Sequence, residues 1–581
     1  MHGRLKVKST AEQLEAKKKE REKKLQLYNA ATSKIISKKK NGELDEELLL
    51  VSAEVLAVNP DFYTLWNYRK ETFLELQKTK SKEELQKMFL SELIFLESCL
   101  RVNHKSYGTW HHRCFVMDTM PEPDWNRELE LCNDFLKYDE RNFHCWDYRR
   151  FVVKRANVPP EAELKFSLSK INNNFSNYSS WHYRSKLLPV LYPDPKQPMG
   201  VSEEALLKEY ELVQNGFFTD PDDQSNWFYH RWLMGRGEQV QGVNCFIVSR
   251  LDNSAIVSFT KHIKVGKATD IVLEINNTRQ EHLTWHNPDR SSLFSTMWIS
   301  FDGYLIFSLN INYITNDLCL PKNEECSIRA TLIENDAAIC SSCLHLDVSD
   351  DSKSVTSSRP SGSSQFSQEL SALKSDVLQQ ELQSILELME METDNKWVVL
   401  TVVLLMKALD PFKYEMEIMN NLDRLEALDF KRVNYYKDLR SKFLVENLID
   451  TSEGDIKSVD LKGKKLTKLY HTELLPLVTV LDLSDNHVQE AKYFNHLQSL
   501  VELNLSTNGV QNCEGLQHLP KLEKLLLRDN RLSSPLSFQP LQSCPKLKHL
   551  NISGNPICES EDLIEQLREL LTGVEIILKS S

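Results

Sequence analysis

Apolar positions keep one rhythm from residue 41 to residue 238, lose it in the segment that follows, and take up another near the C-terminus. In the first region they fall three and four apart, the spacing of one face of a helix. Five tryptophans mark a repeat there: Trp66, Trp110, Trp146, Trp181 and Trp227, at steps of 44, 36, 35 and 46. Seven residues before them stand Asn59, Asn103, Asp139, Asn174 and Asp220; three before stand Tyr63, Tyr107, Phe143, Tyr178 and, out of pattern, Gln224. Three after stand Arg69, Arg113, Arg149 and Arg184, whereas the fifth unit has His230 there and Arg231 one step later.

Four residues before the later tryptophans come Ser106, Asn142, Asn177 and Asp223, whose side-chain oxygens suit a helix N-cap. The frame therefore predicts a helix opening about one turn ahead of each tryptophan and the preceding helix closing at the Asn or Asp. Residues 128–152, ELELCNDFLKYDERNFHCWDYRRFV, show one such hairpin entire. Three-residue spacing places the aromatic and the arginine on nearly the same face as the tryptophan. Hairpins of this size bury little alone, so they are expected to stack into a solenoid with Tyr, His, Arg and Lys along an exposed binding edge.

Residues 239–348 read as strands. FIVSRL, SAIVSFT, DIVLEIN, HLTWHN, TMWISF, YLIFSLNINY and SIRATLIE are short β-branched and aromatic runs between turn residues. They predict an inserted immunoglobulin-like β-sandwich, without the Cys…Trp…Cys frame of antibody domains. Residues 349–368 are Ser-rich and read as a flexible linker open to phosphorylation. Helical patterning resumes over 369–446, with Trp397 as a sixth repeat and a degenerate seventh at Tyr436, where Asp429 lies seven before and Arg440 four after.

Residues 447–581 repeat differently. VDLKGKKL, LDLSDNHV, LNLSTNGV, LLLRDNRL and LNISGNPI put Lys464, Asn486, Asn508, Asn530 and Asn555 in one slot, at steps of 22, 22, 22 and 25. This is the leucine-rich repeat, whose leucines fill a column and whose asparagines bond the backbone of stacked turns. The expected fold class is a multidomain α-α superhelix of helical hairpins, with an inserted β-sandwich and a C-terminal leucine-rich-repeat domain.

Composition narrows the function. Only 17 of 581 residues are glycine, and the chain has no GxxxxGK[ST], strand-linked GxGxxG, HExxH or GxSxG, so the common one-chain enzyme classes lack support. The net charge is −12, yet residues 1–40 carry 13 Lys and Arg against 4 Glu. They form a basic helix or arm, either solvated or docked on an acidic partner. An acidic remainder argues against nucleic acid. The longest apolar stretch, Trp397 to Met406, is closed by Lys407 and falls short of the ~20 residues of a membrane span. The opening MHGRLK is no secretory signal, so a cytoplasmic protein is expected. One CxxC, Cys340 and Cys343, has no second ligand pair.

The hairpin frame N-x-x-N-Y-x-x-W-x-x-R resembles the α subunits of protein prenyltransferases. NHKSYGTWHHR from Asn103, DERNFHCWDYRR from Asp139 and NNNFSNYSSWHYR from Asn172 match it closely. The α subunit shared by farnesyltransferase and the type I enzyme has neither extra domain. The resemblance implies a chain that wraps around a separate β subunit, which binds the catalytic zinc. It also implies transfer of geranylgeranyl from its diphosphate to C-terminal cysteines of Rab GTPases presented by a Rab escort protein. The isolated chain is expected to be inactive.

In related α subunits, the lysine at the position of Lys105 points toward the diphosphate, so the resemblance gives Lys105 the task of offsetting charge on the leaving group. Tyr107, Asn142 and His144 are expected on the same edge, and Tyr178 and His182 on the edge facing the partner. His111 and His112 point about 100° apart on a helix, too far to share one ion, and at least one is expected at the subunit interface. The rival reading is a non-catalytic adaptor scaffold, since all three modules are common binding folds; tetratricopeptide repeats, however, carry a different W-x-x-L-G-x-x-Y frame. An RNA-associated leucine-rich protein is the third reading, and it would need a strongly basic face.

Overall fold

The structure, a computed structural model, describes residues 11–195, 200–235, 241–251, 253–280, 283–290, 294–301, 318, 320–322, 324–356, 375–452 and 456–579. The chain divides into two compact units, Met1–Phe217 with Asp223–His230, and Phe218–Asp222 with Arg231–Ser581.

The first unit is helical. After α1 (Ala11–Lys40) come α2 (Glu46–Val58), α3 (Tyr63–Leu76), α4 (Lys82–Val102), α5 (Tyr107–Thr119), α6 (Trp125–Tyr138), α7 (Phe143–Ala156), α8 (Pro160–Asn173), α9 (Tyr178–Leu191), α10 (Glu203–Thr219) and α11 (Gln224–Leu233). The basic N-terminal segment is thus helix from Ala11 onward. Lys38, buried near its end, bonds Glu43 (3.2 Å), Asp45 (2.9 Å) and Glu47 (2.8 Å) and fastens α1 to the first hairpin. Asn59, Asn103, Asp139 and Asn174 are the C-caps of α2, α4, α6 and α8. Ser106, Asn142 and Asn177 cap α5, α7 and α9 through their side chains.

The shared face expected for aromatic, tryptophan and arginine needs correcting. Tyr63, Tyr107, Phe143 and Tyr178 are at least half exposed, whereas the tryptophans and Arg69, Arg113, Arg149 and Arg184 are buried. The aromatic is the first residue of its helix and the arginine lies six residues on, about 120° around the axis. The arginines therefore belong to the core, not to the exposed edge.

In the second unit two sheets face each other. One has the order β5-β2-β1-β8, with β1 (Val243–Ser249), β2 (Ser254–Ile263), β5 (Ser295–Phe301) and β8 (Ser352–Thr356). The other is β4-β3-β6-β7, with β3 (Thr269–Ile275), β4 (Thr278–Arg279), β6 (Cys326–Glu334) and β7 (Ala337–Leu346). Phe246, Val257, Leu273, Trp298, Ile328 and Leu344 fill the space between them. The start of the expected linker is instead strand β8, paired with β1 from Cys245↔Thr356 to Ser249↔Ser352. Val355 packs against the core there, and a strand beside β1 satisfies that edge. Of HLTWHN, the described residues Leu283–Asn287 form a loop with one bridge, His286↔Ile299, and His282 lies outside the described residues. YLIFSLNINY and the rest of the linker lie outside the described residues.

Helices resume with α12 (Ser375–Met391), α13 (Lys396–Leu409), α14 (Glu415–Leu428) and α15 (Val433–Thr451). Asn395 caps α13 and its amide donates to Asp222 (3.0 Å), in the turn before Trp227. Tyr436 is buried and donates to Asp429 (3.0 Å). α15 also closes the last domain: Val445 and Ile449 join the leucine core of the repeats.

The horseshoe is a parallel sheet of β9 (Ser458–Asp460), β10 (Val480–Asp482), β11 (Glu502–Asn504), β12 (Lys524–Leu526), β13 (His549–Asn551) and β14 (Glu575–Ile577), with α16 (Glu561–Leu570) before the last strand. Asn486, Asn508, Asn530 and Asn555 each accept the backbone N–H of a residue in the preceding turn, Leu466, Val488, Val510 and Leu532, at 2.8–3.0 Å. Cys245, Ile247, Ile256, Met297 and Ile299, on the outer face of the β5-β2-β1 sheet, are covered together with Leu477 of the horseshoe. Burial on both faces explains why β1 and β2 read as continuous apolar runs.

Candidate functional site

The first four repeats fix their exposed edge through a buried polar kernel. The tryptophan indole N–H donates to the carbonyl six residues earlier: Trp66 to Pro60, Trp110 to His104, Trp146 to Glu140 and Trp181 to Phe175, at 2.8–2.9 Å. That bond pins the turn before the helix, and with it the first-turn aromatic. The arginine at +3 then forks onto a glutamate of the next hairpin: Arg113 onto Glu128 (2.6 and 2.6 Å), Arg149 onto Glu163 (2.8 and 2.7 Å), Arg184 onto Glu209 (2.7 and 2.6 Å), and Arg69 onto Glu92.

A third member was missed in the sequence. Tyr148, Tyr183 and Tyr229, two residues after their tryptophans, donate to Glu128 (2.6 Å), Glu163 (2.9 Å) and Glu209 (2.6 Å). His112 holds that slot against Glu92 (2.9 Å). In all four cases the glutamate lies 20 residues before its partner, a regularity legible in the sequence but hidden by the uneven steps between tryptophans. Burial opposes charge on Glu92, but Arg69 and His112 outweigh it and hold the carboxyl at about 2. Burial pushes the His112 pKa down, with Glu92 opposing.

His112 is accordingly withdrawn from the edge: it is fully buried, with its ring against Trp66 at 5.0 Å. His111 is the exposed member of the pair, and its Nδ1 lies 2.8 Å from Lys70 Nζ. Burial and the Lys70 charge lower the His111 pKa.

Lys105 lies in the turn before α5, with its side chain 64% exposed and 3.8 Å from Asp139. His104 shares that carboxylate at 3.2 Å. Tyr107 projects from the start of α5 and meets the edge of His144 at 4.2 Å. Asn142 is buried and works as a cap: it accepts from His144 and Cys145 and donates to the His104 carbonyl (2.9 Å). His144 is buried behind Tyr107; burial lowers its pKa, Asp147 opposes that shift, and Lys105 and His104 add to it. Tyr178 stacks on His182 at 6.1 Å; burial, Lys186 and Arg150 lower the His182 pKa. The structure therefore brings Lys105, Tyr107, Asn142 and His144 together across two repeats. Tyr178 and His182 form a separate aromatic pair. Exposed cations beside aromatic faces can hold an anion next to an apolar chain.

Among the described residues no group of three or more His, Cys, Asp or Glu is placed to hold a metal ion. Burial raises the Cys99 thiol to about 11 and that of Cys114 to about 12, which disfavours the thiolate a metal needs. Cys340 and Cys343 share β7, but three residues apart on a strand they face opposite sides, Cys340 packing on the sandwich core and Cys343 exposed.

The repeat architecture defines a class. The protein prenyltransferase alpha subunit repeat matches residues 44–76, 89–120, 125–156, 160–191 and 206–237, and a leucine-rich repeat matches 447–576. Proteins named geranylgeranyl transferase type-2 subunit alpha are similar over their whole length: those of Homo sapiens and Mus musculus are each 47% identical, over 582 and 594 residues, with 100% of both chains covered. The chain belongs to the geranylgeranyl transferase type-2 subunit alpha family. A relative of the same name from Dictyostelium discoideum is 42% identical over 246 residues, 42% of this chain and 78% of that one. That protein is thus only about half as long.

Proposed function

We propose that this chain is the non-zinc subunit of a cytoplasmic heterodimer that transfers geranylgeranyl from its diphosphate to C-terminal cysteines of Rab GTPases, with a Rab escort protein presenting the substrate. Full-length likeness at 47% identity to proteins bearing that subunit name carries the reading. In the transfer, the bond from the lipid's first carbon to the diphosphate oxygen breaks, a carbon–sulfur bond forms, and diphosphate leaves. The sulfur is that of the acceptor cysteine, whose proton is lost on transfer; zinc held by the β subunit would stabilise it as the thiolate. This chain's part is to hold the partner and to lend positive charge where diphosphate charge develops.

Lys105 suits that role because its side chain is largely exposed, two residues before the exposed Tyr107, and reaches Asp139 at only 3.8 Å. Single-turnover transfer by the complex with its β subunit tests it. Lys105→Ala should slow the step on the order of tenfold, about 1.4 kcal/mol; an unchanged rate removes Lys105 from the chemistry. Full transfer by this chain without a partner would overturn the division of labour, and failure to form a complex with any zinc-binding prenyltransferase β subunit would favour the adaptor reading.

A further inference from the structure

Where the sandwich meets the horseshoe, a cleft of about 650 Å³ opens between the Asp289 loop and three successive leucine-rich turns. Asp289 Oδ1 accepts from two amides on the horseshoe, Asn495 Nδ2 and Gln517 Nε2, the latter at 3.1 Å. Gln517 is itself oriented by the backbone N–H of Gly515 (2.7 Å). Among the described residues Oδ2 has no hydrogen-bond partner, so the carboxylate is held from one side with its other oxygen unspent. Glu514 adds a second negative charge to the lining, and the cation there, Lys492, is already paired with Glu490 (2.7 Å). Arg290 is not part of the lining.

The apolar part of the lining is equally exposed. Leu536 is 72% accessible and Tyr493 56%. Tyr493 has φ +66° in a slot that His471 fills one turn earlier at φ +55° and Gly515 one turn later at φ +94°. The Tyr493 ring lies against His496 (5.5 Å) and lines the cleft.

We infer that this cleft binds a peptide segment of a protein partner in which an arginine or lysine stands beside an apolar residue, the cation on Asp289 and Glu514 and the apolar side chain against Tyr493 and Leu536. Charge complementarity selects this occupant: two carboxylates, Asp289 and Glu514, face the cleft, and among the described lining residues the one lysine, Lys492, is ion-paired with Glu490 and also lies in the field of Glu514. The half-length relative is too short for helical repeats, sandwich and horseshoe together, so binding here is separate from what the whole family shares.

The test is fluorescence anisotropy at physiological salt, using the chain in complex with its β subunit and a labelled hexapeptide of alternating leucine and arginine, with glutamate for arginine as control. The arginine peptide should bind and the glutamate peptide should not. Asp289→Asn, which keeps an oxygen for Asn495 and Gln517, and Tyr493→Ala should each weaken binding at least tenfold while prenyl transfer stays unchanged. No binding by the parent, or equal binding by both variants, overturns the site.

Discussion

Arg113, Glu128 and Tyr148 show what one residue can decide. All three are buried, the guanidinium forks onto the carboxylate, and the phenol completes it. Removing one partner leaves a buried charge uncompensated, at a cost of about 3–5 kcal/mol. Glu128→Ala should therefore lower the unfolding free energy of the helical unit, read from urea titration, by that order, and a loss below 1 kcal/mol would mean the kernel is solvated. The sequence displayed the arginine plainly but not its purpose, because Arg-to-Glu separations run from 14 to 25 residues. For the same reason His112 could not be told from His111: their divergence follows from helix geometry, but which one turns inward is decided by a glutamate on a different helix.

Elements with a strong period were legible and those without one were not. Helix starts followed from caps such as Ser106 and Asn142, and the horseshoe from its asparagine ladder. β7, AAICSSCLHL, is an edge strand of small, mostly exposed residues and gives little hydrophobic signal, while HLTWHN looks like a strand because Trp285 is buried from a loop, donating to Ile271 (2.8 Å). Two histidines of the horseshoe are shifted in opposite directions. Burial opposes charge on His471, but hydrogen bonds to Glu446 and Glu473 prevail and carry it up to about 9. Burial pushes His496 down to about 4, against the pull of Glu473 and Asp289 and with the help of His262.

From an unfolded value near 6.5, the His471 contribution is complete below that pH and is lost as pH rises toward 9. The His496 contribution is present above 6.5 and is lost as pH falls toward 4. Thermal melts should therefore show greatest horseshoe stability near pH 6.5, with Tm falling by several degrees on either side. His471→Gln should flatten the alkaline limb and His496→Asn the acid limb; a variant that leaves its limb as steep as the parent's refutes the assignment.

At the scale of the whole molecule, no helix among the described residues is long and apolar enough to cross a membrane, and three modules share one chain. The tryptophan of the sixth repeat, Trp397, follows that of the fifth, Trp227, by 170 residues, yet the cap of its helix, Asn395, donates to Asp222, much as the cap Asn142 donates to His104 in the repeat before its own. The sandwich between them begins with β1 and ends with β8, and these are neighbours, Cys245 opposite Thr356. Replacing residues 241–356 by a short Gly-Ser bridge should leave complex formation with the β subunit intact and kcat/KM within about twofold, while baring the surface around Leu477; loss of the complex would show that the sandwich props the helices. Neighbouring strands lie about 4.8 Å apart, so the domain enters and leaves through a doorway one strand wide. A folded guest with so narrow a threshold adds little to the entropy of closing the chain around it. Such a junction can gain or shed a whole module between two turns of a repeat without the helices registering its length.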